Sequence, residues 1–169
     1  MTFLRFPTLF ALLLAFAALP LAGCDSSSDD DSGSDASCPP ANQASGTFTA
    51  TAGGSSFDAA CIQVIVTGST FSITGIENFG QTGTTAQEQI NLNVFGASAG
   101  QYSLPLGGSF SYAINQSGSV TPDTYGGVSG SITLTELTDT SAKGTFSFTG
   151  VNMSQNQIEV TSGSFDVTF

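Results

Sequence analysis

The chain has 169 residues, with 13 acidic side chains against two basic ones, and neither histidine nor tryptophan. Its formal net charge of −11 repels phosphate backbones and argues against nucleic acid as a partner. Without histidine, a Ser-His-Asp triad, an imidazole general base and the ordinary zinc ligand sets are excluded.

The first element reads as an export signal. Arg5 precedes an apolar run from Phe6 to Leu21, rich in Leu, Ala and Phe. That run has the length of a signal core and lies near the lower limit for a spanning helix. It closes on Leu21-Ala22-Gly23-Cys24, which reads as a lipobox: small residues ahead of a cysteine that is acylated as the chain is cut before it. An uncleaved amino-terminal membrane helix is the alternative. A cysteine followed at once by a polar, acidic stretch argues against it. Residues 1–23 are thus expected to be a lipoprotein signal peptide, with Cys24 lipidated. One buried CH₂ contributes ~0.8 kcal/mol and a single chain binds only marginally, so three acyl chains would make a permanent membrane anchor. The mature chain would carry Lys143 alone against all 13 acids, a charge of −12.

Residues 24–45 read as the lipidated cysteine and a tether. From Asp25 to Ser45 the chain is mostly Ser, Asp, Gly, Pro and Ala, with five aspartates and no cation, so disorder is expected. Its coil span is roughly 25 Å, before charge repulsion and Pro39-Pro40 extend it. Calcium ligation by Asp29, Asp31 and Asp35 fails the EF-hand pattern, because Gly33 stands where a ligand is needed and no Glu closes the loop. The cluster Ser28-Asp29-Asp30-Asp31 resembles the acidic export signal of surface-exposed Bacteroidota-type lipoproteins. That likeness implies a cell-envelope protein on the outer membrane, exposed at the cell surface. Asp25, which resembles an inner-membrane retention signal, points the other way.

With Cys24 committed to lipid, Cys38 and Cys61 remain, and an oxidising compartment favours their pairing. The bridge would contribute ~3 kcal/mol by chain-entropy arguments and pin the tether to the second strand. No CxxC pattern supports a metal or redox role, and no cofactor is implied.

Residues 46–169 read as one antiparallel β domain. Phe48, Ala50 and Ala52 alternate with Thr up to a Gly53-Gly54 turn. Ile62, Val64 and Val66 share one phase and end at Gly68-Ser69; Phe71 and Ile73 follow. Ile90, Leu92 and Val94, then Phe110, Tyr112 and Ile114, continue the series, as do Ile132 with Leu134, Phe146 with Phe148, and Ile158 with Val160. Such period-two alternation between glycine-centred turns predicts an all-β fold, a sandwich or flattened barrel of about 8–10 strands. In the last strand the apolar phase shifts to Phe165, Val167 and Phe169, which predicts a β-bulge at Gly163 with Gly163 supplying a positive φ. Ten of the 14 Phe lie in this domain and can fill its core.

The stretches Gly46-Thr47-Phe48-Thr49-Ala50, Gly130-Ser131-Ile132-Thr133-Leu134-Thr135, Gly144-Thr145-Phe146-Ser147-Phe148 and Thr161-Ser162-Gly163-Ser164-Phe165-Asp166-Val167 resemble a family of small all-β bacterial lipoproteins of unknown function. The resemblance implies fold and location and carries no catalytic residues with it.

The segment Gly100 to Gly130 holds all three tyrosines, and Tyr102, Tyr125, Asn115 and Asp123 are the candidate ligand-binding residues, suited to a glycan or protein ligand. Tyr112 belongs to the core by phase, and Tyr102 and Tyr125 as mere loop-flanking residues is the blander reading. Lys143, in the Thr140-to-Gly144 turn, reads as solvated. Glu88, Glu136, Glu159 and Asp166 read as solvent-facing strand charges, and no spacing singles out an acid and base for glycoside hydrolysis. The expectation is a non-enzymatic, membrane-anchored module that binds a ligand or serves as a structural surface component. Two rivals are a lipocalin-like carrier of a small apolar ligand, against which the missing Gly-x-Trp signature counts, and a carboxylate-based glycosidase.

Overall fold

The computed structural model describes residues 38–81, 86–96, 98–116, 119 and 121–169. The signal peptide, Cys24 and the tether up to residue 37 lie outside the described residues.

Ten strands form, all paired antiparallel: β1 Gln43–Ala52, β2 Ser55–Asp58, β3 Cys61–Thr67, β4 Thr70–Glu77, β5 Gln87–Phe95, β6 Gly100–Ser103, β7 Gly108–Asn115, β8 Asp123–Leu137, β9 Ser141–Val151 and β10 Gln157–Thr168. Eight of them close a barrel in the order β1-β10-β9-β8-β7-β5-β4-β3, with β3 returning to β1. Sandwich and barrel were both open from the sequence; the ring closes because the first strand pairs with the last, from Ser45↔Thr168 to Ala52↔Val160. The two short strands fill the seams where the ring would gape. β2 continues the partner of β1 beyond the two residue pairs that β3 supplies. β6 does the same for β8 beside the four pairs of β7. The first strand begins at Gln43, inside the segment read as tether.

Side chains of one parity fill the interior. Phe48, Phe57, Phe71, Phe165, Ile73, Ile90, Leu92 and Ile132 are each at most 1–2% exposed. Phe48 stacks on Phe165 at 6.2 Å between ring centroids and meets the edge of Phe57 at 6.0 Å. These side chains fill the interior of the eight-stranded ring, and burying each one contributes about 1.5–3 kcal/mol. The inward position Gly75 is bare because a Cβ there would lie 2.6 Å from the Phe48 ring. The outward parity is polar: Thr47, Thr49 and Thr51 on β1, Thr145, Ser147 and Thr149 on β9, Asn91 and Asn93 on β5. A lipid-spanning barrel has the reverse distribution, apolar outside. All 22 buried members of the main core lie between Ala44 and Val167, within the compact unit Gly33–Phe169, so this unit carries its own fold.

The bulge in the last strand is present, with a different cause. The register with β9 shifts between Val160 and Gly163, and Thr161 and Ser162 both face out. The positive φ falls on Ser162, at 51°, not on Gly163. Gly163 is needed for space, because a Cβ there would lie 2.5 Å from the ring of Phe146.

Cys38 and Cys61 are bonded, with Cα atoms 5.3 Å apart. With Ile76 and the half-buried Phe79 they form a second, smaller apolar cluster. Cys61 and Ile76 pair across β3 and β4 at outward positions. The bridge therefore clasps the incoming chain to the outside of the barrel wall.

Candidate functional site

The barrel has two mouths. One is edged by the β1–β2, β4–β5, β7–β8 and β9–β10 connections, the other by the β3–β4, β5–β6 and β8–β9 connections and the C-terminus. Polar groups gather at the first.

Glu77 and Glu88 pair directly across β4 and β5 there. Both share the parity of the core residues on their strands: Glu77 that of Phe71 and Ile73, Glu88 that of Ile90 and Leu92. Glu88 therefore turns inward at the mouth, not to solvent as read from the sequence. Its Oε2 accepts a hydrogen bond of 2.8 Å from the Tyr112 hydroxyl. Glu77 Oε1 accepts from the Asp58 amide at 3.1 Å. Tyr112 packs its ring 5.9 Å from that of Tyr125. Tyr125 donates to Asp123 Oδ2 at 3.1 Å, and the Asn152 amide donates to Asp123 Oδ1, also at 3.1 Å. Burial first, and then the hydrogen bond and negative charge of Glu88, push the Tyr112 phenol far above its ordinary range. Desolvation and Asp123 raise Tyr125 in the same direction. Both phenols thus stay protonated donors, and the carboxylates beside them are acceptors with lone pairs to spare. The mouth offers aromatic rings and a surplus of acceptors.

Of the four residues selected from the sequence, the fold brings Tyr125 and Asp123 together here. Asn115 sits nearby on the outer face, where it lines a small depression of about 140 Å³ with Gln87, Gln89 and Pro122. Tyr102 goes to the opposite mouth. Its hydroxyl donates to the carbonyls of Gly96 and Ser98, the latter at 2.8 Å, and so ties down the β5–β6 connection. Sequence reasoning missed Glu77, Glu88, Tyr112 and Asn152 as parts of one cluster. The inward parity of Glu88 with Ile90 and Leu92 was the available signal.

A second polar surface lies on the outer wall of β8, β9 and β10. Thr133 pairs with Thr145, Ser131 with Ser147, and Ser129 with Thr149. Thr49 and Ser164 approach to 3.2 Å between hydroxyls on the adjoining strands. A shallow hydroxyl-lined depression of about 350 Å³ lies over the bare Gly163. Lys143 stands in β9 and pairs with Asp166 at 2.6 Å, both more than half exposed. Asp166 accordingly raises the lysine pKa. Among the described residues no group of three or more acidic or cysteine side chains could hold a metal ion.

A family profile described as "Domain of unknown function (DUF6252)" matches residues 44–167, from the first strand to the last. The chain belongs to this family. The DUF6252 match spans nearly the whole barrel, both mouths included, and leaves out residues 1–43. No curated protein and no solved structure matches the chain.

Proposed function

We propose that this DUF6252 chain is a lipid-anchored module of the cell envelope, held at the outer membrane by Cys24 and displayed outward on its acidic tether. It is no enzyme on this reading; it binds a ligand on the surface of its barrel. The observation that carries the binding mode is the filled interior: rings and aliphatic side chains at most a few per cent exposed occupy the space where a carrier of the lipocalin type would hold its ligand. Recognition then falls to the outside, and the mouth of Tyr112, Tyr125, Asp123, Glu77 and Glu88 offers the most concentrated chemistry there. Carboxylates and phenols in that arrangement suit a ligand rich in donors, neutral or cationic: a hydroxyl-bearing glycan or an amine-bearing peptide. An anionic ligand would be repelled.

Three measurements test this reading. The intact mass of the native protein is expected to include acyl chains on Cys24, and a Cys24→Ser variant to stay unprocessed; an unmodified mature mass refutes the anchor. A glycan and peptide array probed with residues 33–169 is expected to give binding that a Tyr125→Phe/Asp123→Asn variant loses. Binding that survives in the variant refutes the mouth as the site. Protease added to intact cells is expected to degrade the barrel, and full protection would place it behind the membrane.

A further inference from the structure

The large apolar side chains that remain exposed are not scattered evenly. Leu106 is 91% exposed, Phe95 55%, Ile65 48% and Val66 44%. All four lie toward the mouth opposite the acidic one, Ile65 and Val66 near the end of β3 and Leu106 beside the end of β5. Val66 precedes the β3–β4 turn, Phe95 ends β5, and Leu106 lies in the β6–β7 connection. The register makes them neighbours. Val66 pairs with Phe71, the next residue, Thr70, pairs with Phe95, and the Phe95 amide donates to the carbonyl of Gly107, beside Leu106. Ile65 and Phe95 share the outward parity of β3 and β5, which stand roughly 10 Å apart at about 4.8 Å per strand, whereas Val66, in phase with Ile62 and Val64, turns into the mouth. Met153 and Val128 are also exposed, Met153 at the acidic mouth and Val128 on β8, where Gly127 and Gly130 adjoin Leu104.

Charge is divided in the same sense. Residues 59–76 and 89–122, which build β3, most of β4 and β5, and all of β6 and β7, contain no ionisable acid or base except tyrosine and the bonded Cys61. Asp58, Glu77, Glu88, Asp123 and Glu159 lie on the half toward the acidic mouth. The acids that remain toward the apolar rim, Glu136, Asp139 and Asp166, stand on the β8–β10 side with Lys143.

We propose that this charge-free rim, led by Leu106 and Phe95, seats in the interfacial layer of a lipid bilayer, with the acidic mouth turned away from it. Seating costs no desolvation of charge, because that part of the rim has none. The five carboxylates of the far half keep their hydration only when turned to water, which sets the same orientation. The apolar side chains project from turns and strand ends on a convex rim. A deformable lipid surface accommodates such points, whereas a second copy would have to offer matching recesses and a polar border. The inference goes beyond the anchored reading and stands without it, since the barrel itself makes the contact.

The test uses the unacylated unit, residues 33–169, so its outcome is independent of Cys24. The protein has no tryptophan, so Leu106→Trp and Met153→Trp variants each carry one reporter. On adding phosphatidylcholine–phosphatidylethanolamine vesicles, the Leu106→Trp emission is expected to shift to the blue and be quenched by brominated lipid, while that of Met153→Trp stays put. In vesicle sedimentation, Phe95→Asp/Leu106→Asp is expected to lower the partition coefficient at least about tenfold. Met153→Asp is expected to leave it unchanged. Three results would overturn the proposal: no binding of the parent unit, an equal response from both tryptophans, or a concentration-dependent dimer that the rim aspartates dissolve.

Discussion

Glu77 and Glu88 confront each other from adjoining strands, one carboxylate fastened by a backbone amide and the other by a phenol. Like charges directly opposite in a sheet destabilise it by roughly 0.2–1 kcal/mol. A Glu77→Gln substitution keeps the acceptor for the Asp58 amide and removes one charge. It is expected to raise the melting temperature slightly at neutral pH and low salt, with the gain shrinking as salt is added. A melting series in sodium chloride measures this; unchanged or lowered stability at low salt counts against a mutual repulsion.

The Tyr112 phenol governs the response to alkali. Its folded-state pKa is raised by burial and by Glu88, whereas in the unfolded chain it ionises near pH 10. The stabilisation this gives is complete below about pH 10 and is lost as the pH climbs toward the folded value, with a limiting slope of about 1.4 kcal/mol per pH unit. Denaturant melts between pH 8 and 12 are expected to be flat and then to fall. Tyr112→Phe should remove much of the fall. It should also cost about 1 kcal/mol at pH 7, through the lost hydrogen bond to Glu88.

Gly163 tolerates no side chain. A Gly163→Ala change places its methyl against the Phe146 ring and is expected to cost about 1–3 kcal/mol of overpacking. Adding Phe146→Leu should restore part of the loss, so that the double variant is more stable than the sum of the singles predicts. Additive losses in a double-mutant cycle would show that the two residues do not collide. Ser162→Gly, at the positive φ, is expected to be tolerated.

Reducing the Cys38–Cys61 bridge is expected to cost ~3 kcal/mol, seen as a lower denaturant midpoint with dithiothreitol. The barrel should keep its β-sheet circular dichroism, because its core cluster does not include either cysteine. Limited proteolysis near residue 38 should accelerate. Tyr102→Phe, at the far mouth, should leave ligand binding intact and loosen only the β5–β6 connection.

The eight long strands were legible because each carries two or three apolar residues at period two, from Phe48, Ala50 and Ala52 to Phe165 and Val167. The short β2 and β6 were not: each has four residues and a single large ring, Phe57 or Tyr102, so no alternation can register. Closure was equally hidden. It rests on pairing Ser45 with Thr168, a relation no local pattern encodes. At the candidate site, Tyr125 and Asp123 are near enough in sequence to be read together. Glu77, Glu88 and Asn152 come from three other strands or turns, and only the ring brings them to one mouth. The Gly163 bulge was readable from the phase shift, yet its steric origin lies in Phe146, on the neighbouring strand.

Because β1 and β10 are hydrogen-bonded partners, nothing can seal the cylinder until β10 has been delivered. A ribosome or translocation pore that releases the polypeptide head first leaves a half-built curl with two bare edges for the whole of that transit. Such edges are where strands of other chains add on. The interval before β10 arrives is thus the period of greatest danger for this fold, and a chain that ends after β9 should aggregate.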